Sequence, residues 1–347
     1  MSNKNSYLPL VPLFQKFESD TKSGKRLQKN GKLISKSTLS NYNSLLKNLI
    51  AFESHNNSQF LINTNYKYSK RLHDVEKNKY IKFYKQFTDY LYKKNCNDNY
   101  VGMLIKTLRS FFIYLNNHKG YDTGSFYKLF YIRKEETPII VLSQEQLNFL
   151  IKNKEFENSL PIHIQATKDV FVFGCTVGLR FSDLMSLKPK NLETSNGSHY
   201  VVTKSIKTST DTRIKLPQYC WDILLKYNKN KKTLLPVLSL NQFNKNLKKM
   251  ALIANWTHEV GKERSKRGLR KEIKKENGKT YRFCDLMSSH TMRRTAITTL
   301  LILGMPEPLV RKISGHAPNS KEFHKYVKYS ESFLDSETDK AFNKLIG

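Results

Sequence analysis

Apolar residues recur at helical spacing through the first third of the chain. Leu39, Tyr42, Leu45, Leu46, Leu49, Ile50 and Phe52 follow Ser37, a residue suited to an N-cap. Tyr80, Ile81, Tyr84, Phe87, Tyr90 and Leu91 repeat the pattern over 77–95. Val101, Leu104, Ile105, Leu108, Phe111, Phe112 and Leu115 repeat it over 99–116. Such stripes predict a small helical bundle whose aromatic rings are core rather than base-stacking platforms. Residues 1–33 are polar and Lys-rich with one apolar patch, and are expected to be partly ordered at best. The stretch YIRKEETPIIVL, 131–142, combines charge, Pro138 and a short extended run, and reads as a linker. Ser143 and Gln146 then form a capping box. Further helices are expected over 143–153, 162–175, 182–188, 217–228, 240–254, 289–303, 306–313 and 331–345. A strand pair is expected at 199–204 and 212–217, turning at Ser209-Thr210-Asp211. The pattern therefore predicts a mainly α chain with a small β component. It has a basic segment at 1–33, a helical domain at 34–135 and an α+β domain at 136–347 that ends in a helical tail.

Length agrees with this division, since 347 residues suit two domains. Charge adds a partner. Sixty Lys and Arg against 29 Asp and Glu leave +31, which points to a polyanion, nucleic acid before an anionic membrane. The excess is not a tail: residues 1–135 hold 24 basic and 9 acidic side chains, the remainder 36 and 20. Both halves are expected to touch the same polyanion. Residues 262–282 carry ten Lys or Arg and three acids among Gly261, Gly268 and Gly278, and read as an exposed hairpin or loop lying against phosphates. No apolar run reaches the roughly 18 residues of a membrane span, and the N-terminus lacks the apolar core of a secretion signal. Cys96, Cys175, Cys220 and Cys284 form no CxxC pair, which excludes a cysteine zinc motif and fits a cytoplasmic protein.

Familiar catalytic motifs are missing: there is no P-loop, GxGxxG, HExxH or GxSxG, and no tight carboxylate cluster of the kind that holds two Mg²⁺. A chain that breaks phosphodiesters without metal needs cationic side chains to neutralise the phosphate and a side chain as nucleophile. GCTVGLRFSDLMSL places Arg180 at a turn after an apolar helix, with Asp183 three residues on, able to orient a neighbour. SSHTMRRTAITTLLILG is sharper. Ser288 or Ser289 caps a helix whose first turn carries His290 and Arg293 at i and i+3, facing one way at an anion-attracting N-terminus. PEPLVRKISGHAPNSKEFHKYVKYS ends a short helix at Gly315-His316, and Tyr326 follows ten residues on. Taken alone, Tyr326 is one tyrosine among 19.

The joint order changes its weight. G-L-R-x-S-D, a hairpin, H-x-x-R, G-H and then Tyr resembles the tyrosine recombinase (phage integrase) family, in particular the integrases of Bacteroides-type mobile elements. The resemblance spans most of the chain, and implies a core-binding, DNA-clamping bundle up to about 135 and a catalytic domain from about 140. It implies that Arg180, Lys207, His290, Arg293, His316 and Tyr326 are catalytic. Lys207 sits in the Lys-Thr before the hairpin turn, ahead of Lys204 in preference, and Tyr326, rather than Tyr329, is the nucleophile. Asp183 takes the adjacent acidic position, where Glu is frequent. The interval from His316 to Tyr326 is one residue longer than the commoner nine. The N-terminus is too short for a full arm-type domain. By the same resemblance the protein cuts and rejoins double-stranded DNA through a 3′-phosphotyrosyl link. It does so without metal, cofactor or ATP, as a homo-oligomer that is tetrameric on synapsed sites. The amphipathic tail, with Phe333, Leu334, Ala341, Phe342, Leu345 and Ile346, is expected to pack on a neighbouring subunit or on its own domain. Two alternatives stand beside this: a type IB-like topoisomerase, and a non-catalytic DNA-binding protein, which would leave the order of the polar residues unexplained. Integration, inversion and resolution stay open.

Overall fold

The computed structural model describes residues 6–28, 30–205, 210–227, 232–317 and 320–346, with the backbone alone at 336, 337, 340, 341 and 344–346. Two units result: Met1–Thr137 with Glu263–Ile273, and Pro138–Lys262 with Lys274–Gly347.

The first unit opens with β1 (Tyr7–Pro9) and α1 (Leu10–Lys22), continues through α2 (Lys36–Asn56) and β2 (Leu61–Asn63), and closes its bundle with α3 (Lys70–Lys93) and α4 (Asp98–His118). β1 and β2 pair antiparallel, Leu8 opposite Ile62. The cap of α2 is Ser35, not Ser37: its hydroxyl accepts the Thr38 N–H. Ser69 caps α3 in the same way through the Leu72 N–H. The expectation for residues 1–33 is corrected. Leu10, Val11, Phe14 and Phe17 form one face of α1 and are buried. Phe14 meets Phe111 edge-on at 5.1 Å, and Phe17 lies 5.0 Å from Tyr42. Arg26 stands 4.1 Å over the Phe17 ring and donates to Thr21 Oγ1 and Tyr42 Oη. Four apolar residues on a short helix suffice to join the core, although Lys dominates the flanking composition.

The second unit begins with α5 (Gln144–Lys152), capped by Ser143 and Gln146 as expected, then α6 (Lys154–Ser159), α7 (Ile162–Val177) and α8 (Phe181–Met185). A three-stranded antiparallel sheet follows: β3 (Leu192–Ser195), β4 (Ser198–Lys204) and β5 (Asp211–Lys215), in that order. Val201 opposes Ile214, both buried, which fixes the register of β4 and β5. The expected strand pair is present, with β3 as a third strand whose polar sequence, LETS, gave no signal. Next come α9 (Gln218–Lys226) and α10 (Leu240–Ile253). The chain then rejoins the first unit as an antiparallel hairpin, β6 (Glu263–Lys266) and β7 (Leu269–Glu272). It returns as α11 (Phe283–Leu286), α12 (Ser289–Ile302), α13 (Glu307–Ser314) and α14 (His324–Ile346). The tail helix thus starts at His324 instead of 331, and the Ala341, Leu345 and Ile346 side chains lie outside the described residues. No helix among the described residues is long and apolar enough to cross a membrane.

α7 is buried on nearly every side, as its apolar composition requires, and forms the centre of the second unit. Gly174 lets α12 come close: a Cβ there would lie 2.0 Å from Met292 Sδ. The hairpin departs from its expected place. The N–H groups of Arg267 and Gly268 donate to the Asp98 carboxylate at 3.0 and 2.8 Å, and Ser265 N–H donates to Glu135. Arg267 also pairs with Asp89 at 2.8 Å. These bonds, not the neighbouring sequence, make it part of the first unit.

A buried charge network ties α6, α7 and α9. Lys168 Nζ reaches Glu157 and Asp169 at 3.1 and 2.9 Å, while Lys226 Nζ reaches the same two carboxylates at 2.8 Å each. Burial works against the charged form of Glu157. Hydrogen bonds from Lys226 and Lys154 and the charge of Lys168 outweigh it and hold the carboxyl at about 2.

Two predictions follow from these cores. Phe14→Ala should lower stability by about 3–5 kcal/mol, read from the urea midpoint; an unchanged midpoint would return α1 to the periphery. Glu157, depressed in the folded state, contributes stability that is present above its ordinary value of 4.5 and is lost as pH falls toward about 2. Glu157→Gln should therefore flatten the acid limb of the stability curve in that window, and a limb as steep as wild type would place the acid sensitivity elsewhere.

Candidate active site

Among the described residues, Arg180, Asp183, Arg293 and His316 converge where α7 ends beside α12. α7 stops at Gly178, whose carbonyl oxygen is turned toward α12 and accepts a 2.8 Å bond from Arg293 Nη1. Two residues later Arg180 forms the N-cap of α8. Its Nη1 donates to Ser205 Oγ at 3.0 Å, and Ser205 donates in turn to Asp183 Oδ2 at 3.2 Å. Asp183 Oδ2 lies 4.0 Å from Arg180 Nη1 and is 2% exposed. Asp183 and Ser205 therefore hold the first guanidinium from below. The sheet delivers Ser205, which follows β4 and donates its N–H to Thr210 O at 2.9 Å. Ser205 was not anticipated, since a serine after a strand carries no signal of its own. Lys207 lies outside the described residues.

α12 begins at Ser288, whose N–H donates to Thr291 Oγ1. Arg293 is 5% exposed. Burial first, and then the charge of Arg180, lower its guanidinium to about 10. His290, one turn earlier, is exposed on the first turn of the same helix, so the structure separates the environments of a pair expected to face one way.

α13 ends in a left-handed Gly315, φ 61°, a turn that lets the chain reverse so that His316 N–H donates to Arg311 O at 2.9 Å. The His316 ring then reaches back over the site. Ser314 Oγ donates its proton to Val310 O at 2.7 Å, so its oxygen accepts the His316 Nδ1–H at 2.8 Å. That network assigns Nε2 as the acceptor of the Arg293 Nη2 bond at 3.2 Å. Burial first, then Arg293, Arg180 and Arg311, push the ring down to about 3, so it is neutral at ordinary pH. Phe323, fully buried, lies 5.2 Å from the His316 ring, and Tyr326 lies 6.0 Å from the same ring, both edge-on. Tyr326 is half-buried in the first turn of α14, against a small core of Ile297, Val310 and Phe323.

Arg180, Asp183, Arg293, His316 and Tyr326 thus form one connected cluster, with His290 on its exposed helix edge. Two guanidiniums, one carboxylate and neutral imidazole leave the pocket cationic, and a guanidinium fork suits a phosphate oxygen pair. In histidine-resolved NMR of the free protein, the His316 ring should remain neutral from about pH 8 to pH 5. An inflection near its ordinary value of 6.5 would show the ring to be solvated and the cluster loose.

The chain has counterparts among known proteins. Residues 141–332 match the model of the phage integrase family. Among solved structures, a λ integrase dimer bound to a COC′ core site superposes with a TM-score of 0.59 at 14% identity, covering 93% of this chain and 78% of that one. The Tn1549 transposon integrase in complex with transposon right end DNA gives 0.60 at 13% identity, over 92% and 94%. A λ integrase tetramer bound to a Holliday junction gives 0.58 at 14%, over 92% and 80%. These likenesses establish the fold. A search of curated proteins gave no match. With the family model covering more than half of the chain and the whole fold shared with such enzymes, the protein belongs to the phage integrase family and is a site-specific tyrosine recombinase.

Proposed function

We propose that the cluster cuts and rejoins double-stranded DNA with Tyr326 as nucleophile and Arg180, Arg293, His290, His316 and Lys207 as its partners. The observation that carries this reading is the convergence of two cations: Arg293, 5% exposed, donates to the Gly178 carbonyl two residues before Arg180, whose own fork is held by Ser205. Holding like charges together costs energy that an arriving phosphate returns.

In the proposed reaction, Arg180 and Arg293 bind the non-bridging oxygens and stabilise the charge that gathers there during attack. The Tyr326 phenolic oxygen bonds to phosphorus as the bond from phosphorus to the 5′-oxygen breaks. The phenol proton passes to a histidine; His290, exposed on the first turn of α12, is the candidate, because the His316 Nε2 lone pair already accepts from Arg293. The leaving 5′-oxygen gains a proton, for which Lys207 is the donor. The 3′-phosphotyrosyl bond keeps the phosphodiester energy, so a second 5′-hydroxyl can attack phosphorus and release the phenol without ATP or metal. Asp183 and Ser205 act through Arg180, fixing its fork.

Action on both halves of a site requires a second copy, and strand exchange between two sites requires four, as in the λ integrase tetramer. We read the protein as an integrase of a mobile element, like the Tn1549 enzyme, acting in the cytoplasm where its DNA lies. The net charge of +31 makes affinity fall steeply as salt rises.

The test uses nicked duplexes tiling the DNA that flanks the gene, resolved on denaturing gels. Wild type should form a covalent protein–DNA adduct. Tyr326→Phe should bind the same duplex with similar affinity and form none, and Arg180→Ala should slow adduct formation by about 10²–10³-fold. An adduct that persists in Tyr326→Phe would remove that residue from the role.

A further inference from the structure

Between His316 and Tyr326 the chain runs through a ten-residue interval, and one side chain outside the catalytic set grips it at several points. Arg311 lies on the last turn of α13 and is 7% exposed. Its Nε donates to Glu307 Oε1 at 2.6 Å, and Nη2 reaches the same oxygen at 2.5 Å. That ion pair, one helical turn back, fixes the plane of the guanidinium. Nη1 then donates to Ala317 O at 3.3 Å, the carbonyl directly after His316. The guanidinium carbon stands 4.1 Å over the Phe323 ring, and the Arg311 carbonyl accepts the His316 N–H. Phe323 is fully buried and touches both His316 and Tyr326, with ring centroids at 5.2 and 5.9 Å.

A buried guanidinium is costly unless its donors are satisfied, and here they are met by Glu307 and by the Ala317 carbonyl at the start of this interval, while its face rests on the Phe323 ring toward the far end. Lys, with a single flexible ammonium, cannot reproduce the fork. Resting on the recombinase reading, we propose that Arg311 is a positioning residue: it sets where the Tyr326 segment lies relative to His316 by pinning Ala317 and Phe323 to the end of α13. Arg311 stands behind His316 and Phe323 and does not itself touch the phosphate. Its loss should therefore weaken the chemical step and spare DNA binding, because a nucleophile misplaced by about 1 Å costs on the order of 10²-fold in rate.

The experiment measures three quantities on the flanking-DNA nicked duplexes: duplex affinity, single-turnover rate of adduct formation, and thermal midpoint. The expected result for Arg311→Met is affinity within twofold of wild type and an adduct rate ten- to hundredfold lower. Arg311→Lys should recover part of the rate, and Phe323→Leu should slow it in the same direction. Wild-type adduct rate in Arg311→Met would overturn the proposal, as would a loss of rate matched by an equal loss of affinity. If Arg311→Met does not melt cooperatively, the Lys and Phe323→Leu variants decide, and both at wild-type rate would overturn it. Absence of any adduct with the wild-type chain is a different failure: it would sink the recombinase reading itself.

Discussion

The site depends on a buried positive charge. Arg293 is fixed on one side by the Gly178 carbonyl at the end of α7 and on the other by the His316 ring beyond α13. Its fork therefore joins the ends of α7 and α13 to α12. An isolated guanidinium in such surroundings would be unfavourable; these two acceptors and the nearby carboxylate of Asp183 make it tolerable despite the like charge of Arg180. The same desolvation holds His316 neutral, so the ring serves as an acceptor and not as a third cation. Cationic character is thus concentrated in side chains that cannot lose their protons readily, while the imidazole gives its lone pair to Arg293.

Around that charge the fold supplies rigidity by simple means. α7 is buried along most of its length, so its end can be placed accurately. The small Gly174 allows α12 to lie against it, and Thr295, buried on α12, accepts the Leu142 N–H, tying the segment that enters the unit to the helix that carries Arg293. The sheet contributes a single hydroxyl, Ser205, which links Arg180 to Asp183. Each of these supports is small, uncharged or both, and each lies within the second unit.

Much of this was legible in the sequence, for a physical reason. Helices announce themselves by periodic apolar positions, and α2, α3, α4 and α12 fall where periodicity puts them. The cluster was legible because its members sit at helix ends, where caps and glycines mark the turns: Gly178 before Arg180, Ser288 before His290, Gly315 before His316. What was not legible arises from long-range pairing. α1 has too few apolar residues to stand out among lysines, yet Phe14 and Phe17 find aromatic partners far along the chain. Ser205 and Ser314 gain meaning only from neighbours brought to them by folding. The differing exposures of His290 and Arg293 could not be read from i, i+3 spacing, which gives a shared face but not its depth. The basic stretch 262–282 was recognised by charge, whereas its allegiance was decided by two carboxylates, Asp98 and Glu135.

Those two carboxylates have a consequence for biosynthesis. Asp98 and Glu135 are both nearly inaccessible, and their backbone donors arrive some 130 to 170 positions later, on the hairpin. During translation the amino-terminal bundle emerges with two acids whose hairpin donors have not yet been made, although Asp98 already accepts from the Tyr92 hydroxyl. It can collapse around its aromatic rings, but it stays incomplete until the ribosome has passed residue 273, by which time most of α5 to α10 has also emerged. Maturation of the two units is therefore interleaved rather than sequential, and a nascent chain released early would carry a bundle whose interior acids lack their backbone donors, a natural target for quality control.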